Sequence, residues 1–143
     1  MDAANRFETK QNFLLARLEY WLLLLASLAL LVMHWNEVRW IPFILLFLYI
    51  DLIGYLPGAF VHRWRKGRVP VLFYRLYNLT HNCLSAALVA ILWCLFAGPE
   101  WALLALPIHL LGDRAVFGNG FKTPEISFEG APHEAFVQFE KRI

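Results

Sequence analysis

Charge is scarce in this sequence, and cysteine is scarcer. Only 17% of the 143 residues are charged against 59% hydrophobic, and the mean hydropathy is +0.50. Soluble domains carry about a quarter charged residues, spread along each helix to make a wetted face. Here the charges are bunched at the two ends and in one central segment, which leaves long apolar tracts without such a face. A net charge of only +2, with aromatic residues inside the apolar tracts, gives no footing for nucleic acid, and no such partner is expected. The two cysteines, Cys83 and Cys94, fall eleven residues apart on one apolar tract, too far to bridge, and no CxxC or Cys/His cluster of zinc type occurs. No small-residue cleavage site follows the first apolar run, so that run is expected to remain as an anchor and the cysteines to stay reduced.

What is present reads as an all-α integral membrane four-helix bundle with a short cytoplasmic C-terminal tail. About 20 helical residues cross a bilayer core of about 30 Å. Residues 1–12 form a polar N-terminus, 13–117 the membrane domain, and 118–143 the tail. The expected spans are about 13–33, 40–61, 71–97 and 101–117. The last is the weakest, because it is short and holds Pro107, His109, Asp113 and Arg114.

Basic residues set the orientation. Arg63, Arg65, Lys66 and Arg68 lie between the second and third spans, Arg6, Lys10 and Arg17 near the N-terminus, and Lys122, Lys141 and Arg142 in the tail. The other two connections hold only Arg39. Four spans place every basic segment on one side, which predicts cytoplasmic termini in a bacterial inner membrane and contact of the basic loop with anionic lipid. Trp21, Trp35, Trp40, Trp93 and Trp101 read as an aromatic belt. In the tail, Gly and Pro predict turns, with a short helix over 133–141. EISFE alternates with strand period, but one strand cannot stand alone. His133 and Glu134 read as solvated residues.

Ionisable groups inside a span are costly, so each asks for a reason. Glu19 lies roughly 10 Å from the cytoplasmic end of its helix, and Asp51, His81, His109 and Asp113 at roughly 15 Å, so all four helices place such groups in one layer. Arg75, Asn78, His81, Asn82 and Ser85 follow helical spacing as one polar stripe. Asp51, Gly54, Tyr55 and Gly58 share a face of the second span, where Gly54 and Gly58 let a neighbouring backbone approach. The sequence Asn78-Leu79-Thr80 matches a glycosylation signal by chance, since it lies inside a span.

Imidazoles and carboxylates converging from different helices are a recurrent metal site in bundles. His81, His109, Asp113 and Asp51 are the expected ligands and catalytic groups, with Glu19 a further carboxylate within reach. A shell of this kind suits zinc, iron or manganese better than calcium or magnesium. Arg75, Asn78, Tyr55, Tyr77 and Arg114 are the expected substrate-binding residues. In the alternative, purely structural arrangement, Arg75 pairs with Asp51 or Asp113, and the histidines donate to backbone or carboxylate partners.

The segments YIDLIGYLPG, YRLYNLTHN and IHLLGDRAVFGNGFK resemble those of a bacterial family of small four-helix membrane proteins, catalogued as domain of unknown function 4260. The match is carried by Asp51, Gly54, Tyr55 and Gly58, then Tyr77, Asn78 and His81, then His109, Asp113, Arg114, Gly118, Gly120 and Lys122. It covers about half the chain and implies a fold but no reaction. The YNxxH and HxxxD pairs are also similar, more faintly, to membrane-bound metal-dependent hydrolases.

Three functions fit these residues. The first is a metal-dependent, hydrolase-like membrane enzyme acting on a lipid or apolar substrate. The second is a non-enzymatic accessory subunit or small transporter protomer, for which transport would require a homo-oligomer. The third is a metal-free proton or quinone-linked site on the same His/Asp pair.

Overall fold

A computed structural model describes residues 9–65, 69–130 and 133–142; Arg6, Lys66 and Arg68 of the basic segments lie outside them. Among the described residues all regular structure is helical. Helix α1 spans Lys10–Met33, α2 Trp40–Ile53, α3 Leu56–Trp64, α4 Val71–Thr80, α5 Cys83–Ala97, α6 Ala105–Gly112 and α7 Glu134–Glu140. Two continuous apolar stretches, Lys10–Met33 and the α2–α3 unit Trp40–Trp64, are long enough to cross a membrane, and the bent pair α4–α5 makes a third if it is one span.

Local chemistry explains the interruptions. Helix α1 starts where the Thr9 hydroxyl accepts from the Asn12 N–H. Pro57 has no N–H to offer the Ile53 carbonyl, and α2 passes into α3 through Gly54–Tyr55 just before it. The expected third span divides at His81–Asn82 with a bend of 57°. Asn82 sustains the break: its Oδ1 accepts the Ser85 N–H that opens α5, and its Nδ2 donates back to the Asn78 and Leu79 carbonyls. The polar stripe predicted over Arg75–Ser85 is therefore not continuous. The expected fourth span is composite: a 3₁₀ turn Trp101–Leu104, then α6, then a π-helical turn Asp113–Phe117 that ends at Gly118 with φ +72°.

Helix α6 is the centre of the fold. Ala105, Leu106, His109, Leu110 and Leu111 are buried, and the helix packs on α1, α2 and α5. Its weak hydropathy follows, because it faces protein on most sides. The surrounding helices turn large apolar side chains outward, among them Leu22, Val32, Ile41, Leu45, Leu84 and Phe96.

The two ends of the bundle differ. At one, His34 stacks on Trp101, Trp101 Nε1 donates to Glu37, and Arg39 pairs with Glu100. At the other, Arg17 caps the π turn by donating to the Ala115 and Val116 carbonyls, and His62 of α3 meets Ser127 of the tail. The start of α1, the end of α3 and the tail thus share one end. The tail does not hang free: Phe128 is 1% exposed, with its ring packed where Gly58 leaves room. The EISFE segment forms turns, and α7 occupies the stretch where a short helix was expected. His133 and Glu134 are exposed.

Candidate metal centre

Four side chains from separate parts of the fold meet at one point. Asp51 comes from the last turn of α2, His81 from the α4–α5 break, His109 from α6, and Asp113 from the start of the π turn. His81 Nε2 lies 3.2 Å from Asp51 Oδ1 and 3.5 Å from Asp113 Oδ2. His109 Nε2 lies 3.7 Å and 3.6 Å from the same two oxygens. One donor atom each from Asp51, His81 and His109 lie mutually within 4.8 Å.

These separations fit a metal shell as well as a loose hydrogen-bonded network. Charge-assisted N–H···O bonds close to about 2.7–2.9 Å. Only the His81–Asp51 contact, at 3.2 Å, falls in hydrogen-bonding range, and the other three are longer. Tetrahedral coordination at about 2.0–2.2 Å puts donors about 3.3–3.6 Å apart. The four imidazole–carboxylate separations, 3.2–3.7 Å, bracket that value, although Asp113 stands outside the set of three whose donor atoms all lie within 4.8 Å of one another.

His81 Nδ1 lies 3.1 Å from the Tyr77 carbonyl, an acceptor only, so Nδ1 carries a proton and Nε2 is the nitrogen that faces the carboxylates. The Thr80 hydroxyl, 3.0 Å from the same nitrogen, completes the support, and Tyr77 stacks on the imidazole with centroids 3.9 Å apart. An outer shell of this kind fixes ring and tautomer at metal-ligating histidines. Both imidazoles are 6% exposed, while Asp113 Oδ2 and His109 Nδ1 are buried without hydrogen-bond partners. Two imidazole nitrogens and two carboxylates gathered at one largely buried point form a donor set that could hold a cation. Asp51, with its side chain 39% exposed, forms the open side.

Two glycine contacts and one arginine hold the arrangement. A Cβ on Gly54 would stand 2.0 Å from Thr80 Oγ1 and 3.0 Å from His81 Cε1, so the bare backbone is what lets α2 reach the α4–α5 break. The expectation that Gly54 admits a neighbouring helix matches this contact, whereas Gly58 admits the tail. Arg114 donates to the His81 carbonyl and to Cys83 Sγ, and its guanidinium lies over the Tyr20 ring.

The remaining predicted residues are placed differently. Asn78 binds the tail backbone at Lys122, and Tyr55 donates its hydroxyl to Glu129. Arg75 is exposed on α4, and Glu19 is exposed on α1; neither makes a hydrogen bond or ion pair among the described residues. The Arg75 pairing with Asp51 or Asp113 is thus not formed. Thr80, Phe128 and Glu129 were not singled out by the sequence reading, and Lys122 entered only through its motif. Lys122 Nζ sits 4.6 Å from the Phe128 centroid and 5.0 Å from that of Tyr77.

The class defined by fold and site is an all-helical chain with long apolar helices and a His/Asp cluster competent to hold a metal ion. No protein-family model, curated protein or solved structure matches the chain.

Proposed function

We propose that this chain is a four-span integral membrane metalloprotein, with a divalent transition-metal ion bound by Asp51, His81, His109 and Asp113. The convergence of Asp51, His81 and His109 donor atoms within 4.8 Å of one another, with Asp113 Oδ2 3.5–3.6 Å from both imidazoles, carries this reading. Membrane insertion is supported by the long apolar helices and by the many large apolar side chains that α1, α2 and α5 turn outward. The gathering of basic segments at one end supports a site opening toward the cytoplasmic face. Residues of all three motifs shared with the domain of unknown function 4260 lie in or against this one centre, which supports membership of that family.

The chemistry proposed is hydrolysis of an ester or phosphoester of a membrane lipid. A bound zinc, iron or manganese ion would supply a water of lowered pKa and polarise the scissile group. Hydrolysis needs one open position on the ion, so in this reading Asp51, His81 and His109 would hold it. Asp113, 3.5–3.6 Å from both imidazoles, would accept the proton of the attacking water, and Arg114 would hold an anionic head group. The four-donor shell also favours a second reading, in which all positions are filled by protein and the centre only binds metal, as in an accessory subunit or transporter protomer.

Metal analysis of the protein purified in lipid nanodiscs tests the shared core of both readings. The expected result is one equivalent of transition metal per chain, lost in His81→Ala and His109→Ala; unchanged metal in both variants would overturn it. Release of fatty acid or head group from nanodisc lipid then separates the two. Turnover that disappears on chelation and returns with zinc, iron or manganese supports the enzyme, and no turnover with full metal occupancy supports the binding protein.

A further inference from the structure

Beside the metal centre, on the flank of the bundle, lies a cavity of about 320 Å³ between α5 and α6. Its floor is made by Ala86, Ala87 and Ala90, small side chains on one stretch of α5, and its opposite wall by Leu106, Pro107 and Leu110 of α6. Almost everything lining it is apolar, and its size falls within the range of small-ligand sites. From Cys83 to Ala90 it runs for about 10 Å along the helix.

One end of this slot differs from the rest. Cys83 closes it there, and Arg114 donates to the Cys83 sulfur at 3.2 Å and to the His81 carbonyl at 3.3 Å. Arg114 is not part of the lining, but through Cys83 its guanidinium stands next to this end of the slot, and it also touches the backbone of His81. On its outer side α5 presents Leu84, Leu95 and Phe96, all more than two-thirds exposed, as a membrane-facing surface does. An occupant must then be a flexible apolar chain bearing an anionic group at the Arg114 end. Arg114 is well suited to that task, since its planar fork still has donors to offer.

We propose that this slot binds one acyl chain of an anionic membrane lipid, with its head group at Arg114 beside the metal centre. This inference rests on the membrane reading above and gives the proposed enzyme its substrate class. The alanines select for a linear chain: their small side chains open the space between α5 and α6, and a larger residue at Ala87 or Ala90 closes it.

The test is cross-linking in nanodiscs of phosphatidylcholine doped with phosphatidylglycerol carrying a photoreactive diazirine in its acyl chain. Adducts are expected to concentrate on Ala86–Ala90 and on 103–110, at least fivefold above the exposed leucines of α1. Ala90→Phe should remove that excess with metal content unchanged, and Ala87→Leu should reduce it. Arg114→Gln should abolish the preference over the matching phosphatidylcholine probe. Adducts spread over all outward helices in proportion to exposure would overturn the proposal, as would an Ala90→Phe protein that holds its metal and labels like wild type. Metal content is read in the same samples, so the two proposals fail separately: slot labelling without metal removes the metal centre, and metal without slot labelling removes the acyl site.

Discussion

The Asn78 carboxamide holds the main chain of Lys122 from both sides, donating through Nδ2 to its carbonyl and accepting its N–H at Oδ1, each at 2.8 Å. This pairing joins α4 to a segment 44 residues further on and brings the tail against the end of the bundle that holds the His/Asp cluster. Asn78→Asp keeps the acceptor but removes the donor and sets a carboxylate against a carbonyl. The expected loss is about 1–3 kcal/mol of stability, read as a lower thermal midpoint in detergent together with faster proteolysis of the tail.

Gly54 and Gly58 should behave differently when each gains a methyl group. In Gly54→Ala the new carbon meets Thr80 Oγ1 at 2.0 Å and presses on His81, so stability should fall by about 1–3 kcal/mol and metal affinity with it. In Gly58→Ala it meets the Phe128 ring at 2.3 Å, so the tail should loosen while metal is retained. Parallel metal titrations of the two proteins check this, and equal loss of affinity in both would contradict the assignment.

Phe128 is the tail's apolar anchor, packed edge-on against Tyr74 and Tyr77. Truncation to Ala should cost about 3–5 kcal/mol of local stability if the cavity stays open. Hydrogen exchange should show the loss across 119–130 and spare α1 and α2. Uniform destabilisation would mean that the tail and bundle unfold as one unit.

Burial pushes the Lys122 ammonium below its ordinary value of 10.5, with Glu129 and Asp113 pulling the other way. The folded chain thus binds this proton more weakly than the unfolded chain. In the window between the lowered value and 10.5, unfolding takes up a proton, so stability should rise with pH there. Below the window the cost of burying the charge is present in full. Lys122→Met, which keeps length and removes charge, should lack this increment when thermal midpoints are compared from pH 7 upward.

The long apolar helices were legible in composition, since the charges are bunched and leave apolar tracts without a polar face. The ionisable residues of the candidate centre were legible for a related reason: Asp51, His81, His109 and Asp113 stand out because burial makes them costly. Spacing along an assumed straight helix did not locate Arg75, which shares the stripe of His81 in sequence but lies exposed on α4. Asn82 captures backbone groups and bends the chain at that point, and such a bend depends on side-chain hydrogen bonds that hydropathy does not register.

Sequence alone therefore determined the helical class, the apolar stretches and the ionisable residues to look for, among them Asp51, His81 and His109, because these follow from transfer free energies residue by residue. Tertiary structure decided that the His81 and His109 imidazoles stand 3.2–3.7 Å from the Asp51 and Asp113 carboxylates, that α6 is the buried centre, and that the tail folds back on Gly58. Those outcomes depend on which small residues admit which neighbours, and such contacts join positions far apart in the chain.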